Sequence, residues 1–268
     1  MTSKVEQVKS LFEKPDWYLT GWRYSIRLRS ETVKEFVKNA TFGSILDIGC
    51  GDGSISLPLL TAARQLTLLD LSSAMLDVAR SRVEPELLSN VEFVNGDFIT
   101  ARLAPCSYDL ILCLGLLAHV ESPSAVVGRV ISLLKPGGIV VLENAEWNHP
   151  ITMLGKLYGK VREMLMPSPG APQNLTPVRS ADVLEMFDRS QFRLEGRYHY
   201  SLPLPGMTRL FGEQTLYTLS RLIYGAYPDH RNAQFGNECL YHLRSLRSPQ
   251  QVLESKSSVC LNLSSAGS

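Results

Sequence analysis

The stretch that most constrains this chain is the run Ile45-Leu46-Asp47-Ile48-Gly49-Cys50-Gly51-Asp52-Gly53. Its first four residues predict a buried strand, and the three glycines at alternate positions predict a turn. Glycine tolerates positive φ and lets a ligand approach the backbone without an intervening Cβ. The next segment, Ser54-Ile55-Ser56-Leu57, predicts the start of a helix. A strand, a glycine turn and a helix N-terminus together are typical of a cofactor cradle.

The spacing of the glycines separates the kinds of cradle. A dinucleotide fingerprint, G-x-G-x-x-G, would place its third glycine at position 54, where this chain has Ser54, and no lysine follows as it does in a P-loop. The pattern here is D-x-G-x-G-x-G, with Asp47 as its leading acid. It resembles the first motif of the class I S-adenosylmethionine (AdoMet) dependent methyltransferases.

Two acids that follow later strands are in keeping with this resemblance. Asp70 comes directly after four apolar strand residues, at the sheet edge where its carboxylate can accept hydrogen bonds from both ribose hydroxyls of a nucleoside. Asp97, followed by Phe98, fits the next element of the methyltransferase pattern, in which the acid binds the adenine amino group. An Asn-Gly-Asp turn is also an ordinary loop. Asp70 and the glycine turn therefore give the prediction most of its specificity.

The resemblance covers about residues 24 to 145 and includes the turn at residues 134–138. It implies an α/β fold, a Rossmann-like doubly wound sheet that is mostly parallel with an antiparallel last strand, plus helical lid insertions. It also implies AdoMet as the cofactor and S-adenosylhomocysteine (AdoHcy) as the product. The residues expected at the cofactor are Asp47, Gly49, Gly51, Gly53, Asp70, Leu71, Met75, Asp97, Phe98, Leu114, Arg29 and Tyr18.

The methionine end of AdoMet carries a carboxylate and an amine. An arginine from the N-terminal segment and backbone carbonyls near the glycine turn are natural partners for these two groups. Arg29 looks like the arginine that some small-molecule methyltransferases use for the carboxylate. Arg23 and Arg27 are alternatives for the same role.

Methyl transfer from a sulfonium is an in-line displacement, so the protein mainly aligns the reactants and excludes water. A general base is needed only if the acceptor is a protonated hydroxyl or ammonium group. The candidates are His119, which follows the fourth predicted strand, and His149 and Glu146, which follow the fifth. Glu143 lies at the same edge. No metal site is expected, because the fourth strand ends without an acidic ligand.

Four regions are predicted along the chain. They are a helical cover (1–40), an AdoMet-binding core (41–146), a region of lid insertions and C-terminal strands (147–245) and a serine-rich disordered tail (246–268). Strands are predicted at 66–70, 91–94, 108–114, 139–142, 192–202 and 238–243. Helices are predicted at 24–39, 74–82, 124–134, 152–166, 180–189 and 207–224.

Composition limits the partners and the location. The net charge of +1 offers no basic field for a nucleic-acid backbone. The most apolar run, residues 110–120, is shorter than the roughly 20 residues that span a bilayer, and the N-terminus lacks the apolar core of a signal peptide. The five cysteines form no C-x-x-C pair. We therefore expect a cytoplasmic protein with a small-molecule acceptor, no nucleic-acid partner and no integral membrane segment.

Acceptor specificity should come from segments outside the common core. Residues 147–166 and 202–227 are rich in Leu, Met, Tyr and Pro and can form a lid with apolar walls. The same helices could instead form a homodimer interface, or Lys156, Lys160 and Arg162 could contact a membrane surface. The leading hypothesis is a methyltransferase acting on a hydroxyl or amine of a natural-product, quinone-like or lipid-linked compound. The alternative is a non-catalytic AdoMet-binding protein that uses its lid to bind a partner.

Overall fold

The computed structural model describes residues 6, 23–165, 176, 178–201 and 211–248, with the side chains of 159, 160, 162, 163 and 165 left out. Tyr18, most of the region 166–177, residues 202–210 and the tail from residue 249 lie outside this description. Predictions for those residues are therefore not tested by the structure.

Seven strands form a single sheet in the order β3-β2-β1-β4-β5-β7-β6. Strands β1 to β5 run parallel to one another, and β7 is antiparallel to both β5 and β6. The predicted Rossmann-like sheet with an antiparallel last strand is thus confirmed. The strands are β1 (Ser44–Ile48), β2 (Gln65–Asp70), β3 (Val91–Asn95), β4 (Tyr108–Cys113), β5 (Leu134–Ala145), β6 (Phe192–Tyr200) and β7 (Glu238–Ser245).

The described helices start close to their predicted positions, apart from the last, part of whose predicted span is outside the description. Two of them begin at serine caps, since Ser72 accepts a hydrogen bond from the Met75 amide and Ser122 accepts one from the Ala125 amide. The helices are α1 (Arg23–Val37), α2 (Ser73–Ser81), α3 (Pro123–Leu133), α4 (Pro150–Leu165), α5 (Ser180–Met186) and α6 (Glu213–Tyr224). In the described part of the chain, no helix is long and apolar enough to cross a membrane.

The prediction of a helix directly after the glycine turn is wrong. Residues 51–56 form turns, and only Leu57–Leu59 make a short 3-10 turn. The carboxylate of Asp52 accepts hydrogen bonds from the Ser54 amide at 3.1 Å and from its hydroxyl at 2.7 Å. Such local side-chain bonds compete with helical ones and hold the chain in a turn. The cradle is therefore built from a strand and a loop, without a helix N-terminus.

The sheet is covered on both faces. On one face α1, α2 and α6 pack through residues such as Leu28, Ala79 and Leu216, and on the other α3 and α5 pack through Val130 and Val183. Burial on both faces explains the continuous apolar sequence of β4. Because β1 lies between β2 and β4, the chain leaves the sheet in opposite directions there. A crevice opens at this switch point, outside the carboxyl ends of the strands.

Candidate functional site

A cavity of about 680 Å³ occupies this crevice. Its wall is formed by the residues that follow β1, β2, β3 and β4, by the ends of β5 and β7 and by one side of α1. Ser25, Ile26 and Arg29 are the α1 residues in the lining. The helix that precedes β1 in sequence thus lies over the edge of the crevice.

The glycine turn adopts the backbone that its sequence requires. Gly49, Gly51 and Gly53 have φ values of 68°, 54° and 71°, a region that side chains disfavour. A Cβ on Gly51 would meet nothing within 4 Å, so this glycine leaves open space in the cavity wall. A Cβ on Gly53 would lie 2.8 Å from Leu57 Cδ1, and Gly53 is absent from the described lining. Gly51 therefore faces a ligand position, Gly49 lines the cavity beside Leu116, and Gly53 allows the loop to pack.

Asp70 stands at the end of β2 with its carboxylate fixed by the backbone. Oδ2 accepts a hydrogen bond from the Gly51 amide and Oδ1 accepts one from the Ser72 amide, both at 2.8 Å. Burial raises the pKa of Asp70, and the hydrogen bonds from the Ser72, Gly51 and Leu71 amides oppose that rise. A carboxylate has about four acceptor sites. Asp70 can therefore hold the glycine turn and still accept hydrogen bonds from a diol in the cavity.

Asp47 lies beneath the glycine turn and is almost fully buried. Its Oδ2 accepts a hydrogen bond from the Ser56 hydroxyl at 2.5 Å. Burial raises the pKa of Asp47 to about 7, with further contributions from the charges of Asp70 and Asp52 and against the Ser56 hydrogen bond. Asp47 thus holds Ser56, which follows the glycine turn, and lies close enough to Asp70 and Asp52 for their charges to act on it.

This raised pKa predicts how Asp47 affects stability. The free acid titrates near pH 3.9 when unfolded. In the folded protein the pKa of Asp47 is about 7. The contribution of the protonated carboxyl to the free energy of unfolding is therefore fully present below about pH 4 and is lost as the pH rises through about 7. The neutral variant Asp47→Asn lacks this dependence. The difference in unfolding free energy, wild type minus variant, should fall between about pH 4 and 7 and then level off. Urea unfolding at several pH values checks this, and a pH-independent difference would contradict it.

Five more of the residues predicted at the cofactor reach the cavity. Leu71, Met75, Asp97, Phe98 and Leu114 all contribute to the lining. Oδ1 of Asp97 accepts a hydrogen bond from the Ile99 amide at 2.7 Å, which fixes the carboxylate in its loop. Met75 and Phe98 are buried and apolar. Met75 and Phe98 therefore offer apolar surface, and Asp97 a fixed carboxylate, in the same cavity, a combination that suits a purine base.

Arg29 is the predicted arginine that reaches the lining, whereas Arg23 and Arg27 are absent from it. Its Nε donates to Oε1 of Glu143 and to the Tyr200 hydroxyl, each at 2.9 Å. The Tyr200 hydroxyl in turn donates to the same Glu143 oxygen at 2.5 Å. Arg29 is thus held by an ion pair that buries its charge in the cavity wall.

A second carboxyl faces this group from β7. Burial and the charge of Glu143 raise the pKa of Glu238 to about 8, and the charge of Arg29 opposes the rise. Glu143 and Glu238 both belong to the cavity lining. Tyr200 and Glu238 were missed by the sequence interpretation, which considered Glu143 only as a further candidate base. The sequence signal that could have found them is an acid near the cavity end of a buried strand, Glu143 on β5 and Glu238 on β7.

Of the three predicted base candidates, His119 lies in the cavity wall. It ends the short 3-10 turn Leu117–His119, directly after β4. Its assignment as a base remains a prediction.

The positions of His149 and Glu146 do not support the other two base predictions. Nδ1 of His149 accepts a hydrogen bond from the Ile151 amide at 3.3 Å, and Nε2 lies 3.1 Å from the Gln234 carbonyl oxygen. Oε2 of Glu146 accepts a hydrogen bond from the Ser180 amide at 3.0 Å. Neither residue is in the described lining. Both side chains hold the beginning of a helix, α4 and α5 respectively.

Among the residues that the structure describes, the lining contains none from α4 or α6. Residues 114–122, which follow β4, contribute to the lining instead. The apolar side chains of α4 are exposed, with Met153 and Leu157 each 59% accessible and Met164 82% accessible. The lid, dimer and membrane interpretations of this helix remain predictions.

Comparison with known proteins agrees with the geometry. Residues 45–138 match the family described as a methyltransferase domain. The chain is 31% identical over 130 residues to the ubiquinone biosynthesis O-methyltransferase of Hydrogenovibrio crunogenus, a match that covers 47% of this chain and 52% of that protein. The first curated relatives are matched over 44% to 64% of their own length. The chain thus spans about half to two thirds of those relatives.

Two solved structures show the same fold. A possible histamine N-methyltransferase from Thermotoga maritima superposes with a TM-score of 0.62 at 15% identity, covering 90% of this chain and 99% of that one. A magnesium protoporphyrin IX methyltransferase from Synechocystis, solved with bound AdoHcy, superposes with a TM-score of 0.60 at 19% identity, covering 92% and 100%. At this level of identity the likeness concerns the fold.

Proposed function

We propose that the chain is a class I AdoMet-dependent methyltransferase, because residues 45–138 match a methyltransferase-domain family. Its cavity would bind AdoMet, and the methyl group would pass to a hydroxyl or amine of a small organic acceptor. The observation that carries this proposal is Asp70. Its carboxylate lines the cavity at the end of β2 and is tied to the glycine turn through the Gly51 amide. The donor site and the turn are therefore one preformed unit.

The residues of the chain fit this cofactor in four places. Asp70 accepts from the ribose hydroxyls, and Asp97 with Phe98 holds the adenine. The open face of Gly51 leaves room for the ligand against the backbone. Arg29 binds the methionine carboxylate. Gly49, Gly51, Asp70, Asp97 and Arg29 all lie in the described lining, which supports the proposal.

AdoMet, when bound, supplies a methyl group on a cationic sulfur. The protein therefore contributes alignment and the exclusion of water. The wall formed by the residues after β4 and by the start of α3 is well suited to this, since Leu114, Leu117 and Val126 are buried and apolar. His119 in the same wall is the proposed acceptor of the proton that a hydroxyl or ammonium acceptor releases.

A phenolic hydroxyl is the acceptor that we propose to test first, because the relatives include O-methyltransferases of ubiquinone biosynthesis. A quinone-like ring suits the apolar wall. The net charge of +1 favours a small molecule over nucleic acid as the partner. We propose a cytoplasmic location for the reaction.

The test is methyl transfer with AdoMet labelled on its methyl group. The purified chain is incubated with a catechol, a hydroquinone and an aryl amine, and both AdoHcy release and labelled product are measured. Acceptor-dependent AdoHcy release that is lost in Asp70→Asn is the expected result. Tight AdoHcy binding without transfer to any hydroxyl or amine acceptor would favour the non-catalytic AdoMet-binding alternative instead.

A further inference from the structure

One oxygen of Glu143 is buried without a hydrogen-bond partner in the described part of the chain. The side chain is 1% exposed. Oε1 accepts from Arg29 and from Tyr200, whereas Oε2 has no donor. Leaving a buried acceptor unpaired is destabilising, and more so when the group is charged. Because buried polar atoms are nearly always paired, an orphan in a cavity wall indicates a binding position.

The position of Gly115 shows where this oxygen points. Gly115 follows β4 and has a φ of 68°. A Cβ placed on it would lie 3.6 Å from Glu143 Oε2 and 3.9 Å from an Arg29 terminal nitrogen. All three residues line the cavity. A carboxylate oxygen and a guanidinium nitrogen thus come to the same point of the cavity floor, where the chain has no side chain of its own.

The order of the strands gives the approximate distance between Gly115, after β4, and Asp70, at the end of β2. β2, β1 and β4 are consecutive neighbours in the sheet. Adjacent strands lie about 4.8 Å apart, so the end of β4 is roughly 10 Å from the end of β2. A nucleoside whose ribose contacts Asp70 and whose 5′ arm crosses the glycine turn would place the end of that arm beside Gly115.

We propose that Glu143 binds the α-ammonium group of AdoMet through Oε2 while Arg29 binds the adjacent α-carboxylate. This inference rests on the proposed function. The two side chains then recognise a zwitterion with a matching pair of opposite charges. The ammonium group satisfies the orphaned oxygen with a charge-assisted hydrogen bond, which is about twice as strong as a neutral one.

The neighbouring carboxyl of Glu238 is less suited to this role. Burial and the charge of Glu143 raise the pKa of Glu238, which disfavours its ionised form. Glu143 is instead paired with Arg29, and its Oε1 is held by Arg29 and Tyr200.

The test compares three ligands by calorimetry. AdoHcy carries both charged groups, its deamino analogue lacks only the α-ammonium, and 5′-methylthioadenosine lacks both. We expect the wild-type chain to bind AdoHcy about 10- to 100-fold more tightly than the deamino analogue. Glu143→Gln, which preserves Oε1 for Arg29 and Tyr200, should reduce that preference to about twofold or less while binding 5′-methylthioadenosine normally. Glu92→Gln, a carboxamide change on β3 outside the described lining, should keep the wild-type preference.

The other outcomes overturn the inference. If Glu143→Gln retains the preference for AdoHcy, Glu143 does not bind the ammonium. An equal loss of affinity for all three ligands would mean that Glu143 maintains the cavity. Normal AdoHcy binding with slower methyl transfer would place Glu143 at the acceptor. A wild-type chain that binds no AdoHcy would be a different result, since it contradicts the proposed function itself.

Discussion

Asp70→Asn is expected to weaken AdoHcy binding by about 100-fold or more. The carboxylate offers acceptors to both ribose hydroxyls, whereas an amide presents a donor in place of one acceptor and has no charge. A hydrogen bond to a charged group contributes about 1.5–3 kcal/mol, so the loss of one such bond and the weakening of the other to a neutral bond correspond to about two orders of magnitude in affinity. Calorimetric titration of both proteins with AdoHcy measures the effect.

Asp77→Asn is the matched control for this variant. Asp77 is an exposed acid on α2 and lies outside the described lining. It should bind AdoHcy like the wild type. Because Asp70 also accepts from the Gly51 and Ser72 amides, thermal unfolding must confirm that Asp70→Asn is folded. A folded variant with unchanged affinity would refute the ribose role of Asp70.

Gly51→Ala is expected to lower AdoHcy affinity by about 10- to 100-fold, because overpacking costs roughly 1–3 kcal/mol. The new methyl group would stand in the open face of the turn, where no atom of the chain lies within 4 Å of the Cβ position. The Gly51 amide would still donate to Asp70. The effect should therefore arise from the occupied space and from the strain of a side chain at a φ of 54°.

Gly137→Ala separates those two causes. Gly137 has a φ of 72°, and a Cβ there also meets nothing within 4 Å. It lies near the start of β5, at the sheet edge opposite the cavity, and is absent from the described lining. Both variants should lose about 1–2 kcal/mol of stability through left-handed backbone strain. A similar loss of affinity in both variants would contradict the assignment of Gly51 to the ligand face.

The parts of the site that the sequence predicted are those with a local signal. Asp70 directly follows the apolar residues of β2, and the parallel arrangement places it at the cavity edge. The glycines of the turn adopt positive φ as expected. Pro150, the first residue of α4, is a sequence signal for a helix start directly after His149. In the structure His149 accepts a hydrogen bond from the Ile151 amide at that helix start.

The charged group around Arg29 could not be predicted in this way. Its partners Glu143 and Tyr200 are 114 and 171 residues away in sequence. No periodic pattern relates residues on α1, β5 and β6, and their contact depends on how α1 packs across the sheet. The helix expected after the glycine turn was wrong for a local reason, since Asp52 bonds to Ser54 and holds a turn.

The central claim is that the crevice beside β1 is an AdoMet site and not a dinucleotide site. The most direct measurement is calorimetric titration of the purified wild-type chain with AdoHcy and, in parallel, with NADH. We predict saturable binding of AdoHcy at one site per chain and no binding of NADH. Absence of AdoHcy binding, or preferential binding of NADH, would contradict this account.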